Sequence, residues 1–380
     1  MMPGQDLSTP DADLSRILAA LGIAANSPGI GIPYTIIPGR DGPRWLLPNR
    51  NGLTQTILGD WRPYSAAARI SWAGVRLVAR LGALRFLPGT LQTRLPATTG
   101  RNLLSLIGQE ADASSPVILV GNVSTTRKLL VFLAIPSQGL DAVVKLPLTF
   151  AARASIRNEA DTLRKLDGKH RAPRLLHYAE ESGAAMQQYL AGKLGSRRCK
   201  PDYLRLLVDL ARTGEVVSLR ARGLRVGERL RGHSAYGNHA GRLESALACL
   251  KEDAIVPAAL VHGDFAPWNI RELRGGGCTL LDWESAEWQG IPLYDLCHFF
   301  YMQTMLFSPQ RLFYSTLLRE GSWRMYCHAL DIPFPLVPRL ATAFLLEMLA
   351  RGWEAGNIPT AGFCLRQLDM LLLEIKNPIG

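Results

Sequence analysis

Leu260-Val-His262-Gly-Asp264-Phe-Ala-Pro-Trp-Asn269-Ile270, followed by Thr279-Leu-Leu-Asp282-Trp-Glu284 and then Tyr294-Asp295-Leu296, decides how this chain is read. Two short apolar runs flank a turn at Gly275-Gly-Gly277, which predicts a hairpin presenting polar groups at its ends. A His-x-Asp, an Asn five residues beyond that Asp, and another Asp thirteen residues beyond the Asn make up the set that phosphoryl transfer from a magnesium nucleotide needs. One carboxylate orients and deprotonates an acceptor hydroxyl. An Asn and a second carboxylate hold the metal ions that bridge the phosphates. Taken singly, Asn269 reads as a turn residue and Asp282 as a strand-end carboxylate; together, at this spacing, they do not.

The chain upstream reads as a small antiparallel sheet with one inserted helix. Strands are expected at Pro116–Val120, Leu129–Ile135, Ala142–Leu146, Arg174–Tyr178 and Ala184–Leu190, and the helix at Ala151–Leu166. Lys145 lies inside the apolar strand Val143-Val-Lys-Leu146, where a charge is costly unless paired. Glu159 stands fourteen residues on, in the helix. Beyond Gly192 the pattern is mainly helical, over 201–214, 237–252, 293–307, 309–330, 336–352 and 360–376. Strands followed by helices predict an α+β fold with two lobes.

These motifs resemble the aminoglycoside phosphotransferase/choline kinase family of small-molecule kinases, whose H-G-D-x-x-x-x-N and (I/L)-D-(W/F) patterns recur at 262–269 and 281–283. The resemblance covers roughly 115–375 and leaves 1–110 outside it. It implies a protein-kinase-like fold with a small β N-lobe and a helical C-lobe, and ATP and Mg2+ as cofactors. It also implies that Asp264 is the catalytic base, His262 a brace for the loop, and Asp295 an anchor for it from a C-lobe helix. Asn269 and Asp282 become the Mg2+ ligands. Lys145 holds α- and β-phosphate oxygens, and Glu159 positions it. Gly121-Asn-Val-Ser-Thr-Thr-Arg127 stands at the phosphate-loop position with one Gly only, so the usual Gly-rich chemistry is absent and backbone N–H groups with the Ser124, Thr125 and Thr126 hydroxyls would cover the phosphates; taken alone it reads as a polar hairpin turn. Gln187 to Leu190, with Gln188, Tyr189 and Leu190 at its centre, falls at the interlobe linker that would meet the adenine. The chain departs from protein kinases in Gly263 after His262, in Asp-Trp-Glu at the metal motif, and in the short span from Asp282 to Asp295. A small hydroxylated acceptor is therefore expected. Glu284 stands near metal or acceptor, or in solvent.

The organisation expected is an N-terminal extension over 1–110, an N-lobe over 111–190 and a C-lobe over 191–380. The extension reads as a short helix at Asp11–Leu21, a hairpin at 33–47 and a helix over 64–86. In that last helix Ile70, Leu77, Val78, Leu81 and Leu84 share a face and Arg69, Arg76 and Arg80 sit on another. It reads as packed on the domain behind it with its arginines in solvent; peripheral contact with an anionic membrane is the other reading.

The 380 residues carry a formal charge of +11, with 47% apolar and 20% charged residues, which excludes a disordered chain. The charge is spread along the sequence, and no specific nucleic-acid partner is expected. Six scattered cysteines without a C-x-x-C pair argue against a disulfide framework or structural zinc and fit a reducing cytoplasm. No transmembrane segment or signal peptide is expected, because arginines interrupt the apolar runs and the start carries Asp6, Asp11 and Asp13. Residues 301–380 hold six acidic and seven basic residues, a poor wall for a polycationic aminoglycoside. Trp288, Tyr294, Tyr301, Trp323 and Tyr326 would stack a sugar or cradle an amino alcohol, or else pack the core. The competing reading of the whole is an inactive nucleotide-binding or membrane-associated adaptor.

Overall fold

The computed structural model describes residues 10–23, 31–39, 42–49, 52–61, 63 and 66–376. Two units divide it: Met1–Leu194 with Arg271–Gly276, and Gly195–Ile270 with Gly277–Gly380.

Runs of β-branched and large apolar residues at period two build the first unit as one sheet. Its strands are β1 (Ile32–Gly39), β2 (Gly42–Pro48), β3 (Leu91–Leu95), β4 (Val117–Val120), β5 (Lys128–Ile135), β6 (Leu140–Pro147), β7 (Leu175–Ala179) and β8 (Ala184–Gln188). They lie in the order β3-β1-β2-β4-β5-β6-β8-β7, antiparallel throughout. The helices are α1 (Pro10–Ala20), α2 (Gly52–Asp60), α3 (Ala66–Arg80), α4 (Thr99–Leu106) and α5 (Phe150–Leu166). One sheet face buries Tyr34, Leu46, Ile118, Val131 and Val144 beneath Ile17 of α1 and Leu103 and Leu104 of α4. The other buries Trp45, Leu47, Leu119, Phe132 and Val143 beneath Leu53, Ile57 and Leu58 of α2 and Ala79 of α3.

The described residues before 110 are thus not packed apart. Trp45 and Leu46 of β2 pair with Leu119 and Ile118 of β4, so the β1–β2 hairpin continues the sheet that carries Lys145. Helix α3 settles in the opposite sense to the packing expected. Trp72, Val75 and Ala79 face the sheet, with the Trp72 indole N–H donating to the Leu58 and Trp61 carbonyls. Ile70, Leu77 and Leu81 are left in solvent, and Leu84 is buried in the turn that follows. Trp72 favours this orientation, because its indole is a large apolar surface whose N–H finds two carbonyl partners on that side.

The first unit ends with the short strand β9 (Gly192–Leu194); the second holds α6 (Pro201–Ala211), β10 (Val216–Ser218), α7 (Leu219–Arg231), α8 (Ala240–Ala248), β11 (Ile255–Pro257) and β12 (Ala259–Val261). There follow β13 (Ile270–Leu273), which from Arg271 returns to the first unit, and then β14 (Cys278–Leu280), β15 (Glu287–Gly290), α9 (Tyr294–Phe307), α10 (Phe313–Glu320), α11 (Ser322–Ala329), α12 (Val337–Glu354) and α13 (Ile358–Lys376). The single helix expected over 309–330 is broken at Gly321, whose left-handed φ of 71° ends α10. Helix α7 was not expected. Its buried Arg222 bonds Glu347 of α12 at 2.7 Å and Glu287 of β15, the strand that pairs with β12.

Candidate active site

In the second unit the motif closes into a hydrogen-bonded loop between β12 and α9. Asp295, in the first turn of α9, accepts the backbone N–H of His262 at 2.7 Å and of Gly263 at 2.9 Å. Burial raises the Asp295 carboxyl to about 6, and those two donors oppose the rise, so it is ionised at neutral pH. Gly263 has no alternative: its φ is 81°, and a Cβ there would lie 2.3 Å from the Ser285 carbonyl oxygen. His262 is fully buried. Its Nε2 lies 2.9 Å from the Leu281 carbonyl and its Nδ1 accepts the Asp264 N–H at 3.3 Å. These partners require the neutral ring with the proton on Nε2.

Asn269 faces Asp264. Its amide nitrogen donates to the Asp264 carbonyl at 2.9 Å and to the Asp264 carboxylate at 2.8 Å. Both neighbours are acceptors, so the nitrogen must face them, and the amide oxygen, which accepts no hydrogen bond among the described residues, turns the other way. The Leu281 N–H donates to the Asn269 carbonyl at 2.8 Å, which brings Asp282 alongside. Asp282 stands at φ 70°, ψ 61°, a left-handed conformation that Asp tolerates better than most residues. The Asp264 side chain keeps 37% of its surface open. Its enclosed side and the neighbouring Asp282, Glu284 and Asp295 carboxylates push its acid to about 7, against the Asn269 hydrogen bond. Among the described residues no three His, Cys, Asp or Glu side chains form a metal cage. The loop offers instead one amide oxygen and one carboxylate beside a concentration of negative charge, a donor set that suits a hard cation sharing its coordination with phosphate oxygens.

Sequence reasoning missed His298. It is buried on α9, with Nδ1 3.1 Å from the Phe265 carbonyl and Nε2 3.7 Å from the Asp264 carboxylate. Burial lowers it to about 4, so the neutral ring turns a lone pair toward Asp264. Its spacing in Asp295-Leu-Cys-His298 is the signal that was available: three residues on a helix share a face.

The first unit holds the other candidates. Lys145 and Glu159 form a buried ion pair at 2.7 Å, the side chains 4% and 1% exposed. Ser124 and Thr125 lie exposed in the β4–β5 loop beside half-buried Thr126, and the Thr149 hydroxyl donates to the Thr125 carbonyl. Gln188 ends β8 and Tyr189 and Leu190 follow it, with the Tyr189 N–H donating to the Asp141 carbonyl at 2.9 Å. A second missed residue acts here. Asp60, at the end of α2, accepts the Tyr189 hydroxyl at 2.6 Å and the Gly192 N–H at 3.3 Å. Arg271 completes the arrangement by donating to the Asp60 and Gly192 carbonyls at 3.2 and 3.3 Å. Of the aromatics expected at an acceptor, Tyr294, Tyr301, Trp323 and Tyr326 are buried, so they pack the core. Only Trp288 is exposed.

Residues 127–332 match the model of a phosphotransferase enzyme family, APH, over more than half of the 380 residues. The chain belongs to that family. Among solved structures, this phosphotransferase is similar to a thermostable mutant of aminoglycoside phosphotransferase APH(4)-Ia in its apo form. The identity is 14%, the TM-score 0.51, and the likeness covers 72% of this chain and 98% of that one. The same enzyme in a ternary complex with ADP and hygromycin B also gives 14% identity and a TM-score of 0.51, over 74% and 99% of the two chains. An ethanolamine kinase from Plasmodium vivax matches at 12% identity with a TM-score of 0.45, over 77% and 96%. No curated protein sequence matches. The phosphotransferase has the kinase-like α+β fold, an antiparallel sheet followed by a mainly helical part.

Proposed function

We propose that this phosphotransferase transfers the γ-phosphoryl group of ATP, with Mg2+, to a hydroxyl of a small molecule. The observation that carries the reading is the Asp264 carboxylate, held by Asn269 in a loop that Asp295 pins through two backbone N–H groups. Asp264 takes the acceptor's hydroxyl proton, and the raised affinity of its carboxylate for a proton suits it to that task near neutral pH. His262 and Asp295 are positioning groups: they fix the loop and touch no reacting atom. The Asn269 amide oxygen and Asp282 would hold Mg2+, which supplies positive charge against the phosphates. Lys145, aimed by Glu159, grips α- and β-phosphate oxygens. Backbone groups of the Ser124–Thr126 loop cover the phosphates, and the Gln188–Leu190 backbone meets the base.

A neutral or anionic acceptor, such as a sugar or glycan, fits better than a polycationic drug. The second unit has a cavity of about 400 Å3 lined by Arg197, Arg311 and Arg319 against one carboxylate, Glu320. Gln303 and Thr304 of α9 also line it, within about two turns of His298. Six free cysteines support a reducing compartment such as the cytoplasm. The test is Mg2+-dependent ATP consumption across a panel of sugars, amino alcohols and aminoglycosides. Turnover with an acceptor that vanishes in Asp264→Ala supports the proposal. A wild type that binds ATP but turns over none of the panel refutes it in favour of a nucleotide-binding module.

A further inference from the structure

The face of α3 turned away from the sheet exposes Ile70, Leu77 and Leu81 at 75%, 59% and 73% of their surfaces. At about 100° per residue these three fall within roughly 40° of one another, a single stripe. Arg69, Arg76 and Arg80 run along one flank of it, about 100° away. Beyond the helix, Phe86 and Leu91 are 70% and 58% exposed, and the Arg85 guanidinium lies 4.6 Å from the centre of the Phe86 ring. From Trp61 to Gln109 the sequence has arginines at 62, 69, 76, 80, 85, 94 and 101 and no acidic residue at all. Arg101 is spoken for by Asp112. The inward face, Trp72, Val75 and Ala79, is packed, so α3 is not free to turn over and hide the stripe.

We infer that this face docks on an anionic lipid bilayer, with α3 parallel to the surface, its apolar stripe at the acyl boundary and its arginines among the headgroup phosphates. A second copy of the chain would cover the leucines, but it would bring two acid-free, arginine-rich faces together. A nucleic acid would satisfy the arginines and leave Ile70, Leu77, Leu81 and Phe86 against a polar polymer. A bilayer with acidic headgroups matches both the charge and the apolar surface at one depth. No single described helix is long and apolar enough to cross a membrane, so this contact is peripheral. The inference is independent of the phosphoryl-transfer reading.

The full chain would be sedimented with vesicles of phosphatidylcholine alone and with phosphatidylglycerol as roughly a third of the lipid. Two variants accompany it, Arg69→Gln/Arg80→Gln/Arg85→Gln and Leu77→Gln/Leu81→Gln. All five side chains are already exposed, so thermal melting should not change. Partition onto the anionic vesicles should fall roughly fivefold per arginine, about a hundredfold for the three, and should weaken as salt is raised. The leucine variant should lose roughly a hundredfold as well, through buried apolar area. Equal partition onto neutral vesicles would overturn the inference, as would partition indifferent to the leucine variant. So would a wild-type dimer that the leucine variant dissociates, or salt-sensitive binding to duplex DNA in place of vesicles.

Discussion

Lys145 and Glu159 allow the nucleotide reading to be separated from a purely structural one. Their charged ends meet at 2.7 Å with almost no solvent contact. Removing one partner strands the other's charge in a low-dielectric site, which costs about 3–5 kcal/mol, whereas replacing both by apolar groups of similar volume is often near neutral. Lys145→Met should therefore destabilise the protein by about 3–5 kcal/mol, and Lys145→Met/Glu159→Leu should recover to within about 1 kcal/mol of wild type. Urea denaturation gives the stabilities and the double-mutant cycle gives the coupling. ATP turnover should behave differently: it should be lost in the single variant and stay lost in the stable double variant, because the role assigned to Lys145 is to hold phosphate. A double variant that is stable and still turns over ATP would refute the phosphate role and leave the pair a structural one. A single variant as stable as wild type would refute the claim that the charges are buried and coupled.

Asp264→Asn should lower turnover about 10²–10⁴-fold while the melting temperature holds or rises, since the change relieves repulsion with Asp282 and Glu284; a fall in melting temperature would contradict the electrostatics drawn here. Asp60→Ala leaves the Tyr189 hydroxyl and Gly192 N–H without their acceptor, at about 1–3 kcal/mol; it should raise KM for ATP more than it lowers kcat, with Asp60→Asn restoring most of the loss, and an unchanged KM would detach Asp60 from the nucleotide linker. His298 titrates at about 4 when folded against 6.5 ordinarily. The folded state thus binds fewer protons, and the stability it contributes, about 3 kcal/mol, is present above pH 6.5 and lost as pH falls toward 4. His298→Asn should flatten that slope in urea melts between the two limits, and parallel curves would count against the buried neutral ring. Deleting residues 1–110 should give an insoluble or unfolded protein by gel filtration and circular dichroism, since α1, α2, α3 and α4 cover both faces of the sheet; a well-folded remainder would show that the extension is an appendage.

What could be read from the chain, and what could not, follows from how local each signal is. The motif at 262–295 was legible because all its parts lie in one stretch of sequence, the longest contact joining His262 to Asp295 across 33 residues. Lys145 and Glu159 were legible because a charge inside an apolar strand demands a partner, and the placement of the two ahead of the 262–295 motif matches the Lys–Glu pair of kinase-like folds. Helix α7 was hidden by Gly223 and Gly227, which read as breakers. Their purpose shows only in three dimensions, where a Cβ on Gly223 would sit 2.9 Å from the Leu250 Cβ. The tie from Asp60 to Tyr189 spans 129 residues, and no periodicity encodes a bond of that length. Neither does any pattern announce that β2 will pair with β4. Edge strands pair wherever unpaired N–H and C=O groups meet a matching edge, and that choice belongs to the assembled sheet. The same limit explains α3. A helix with apolar residues on two faces does not say which face turns inward, and in this chain the answer depends on Trp72 finding two carbonyls beneath it. Once that face is fixed, the other one, with its arginines, has to be accounted for by something outside the fold.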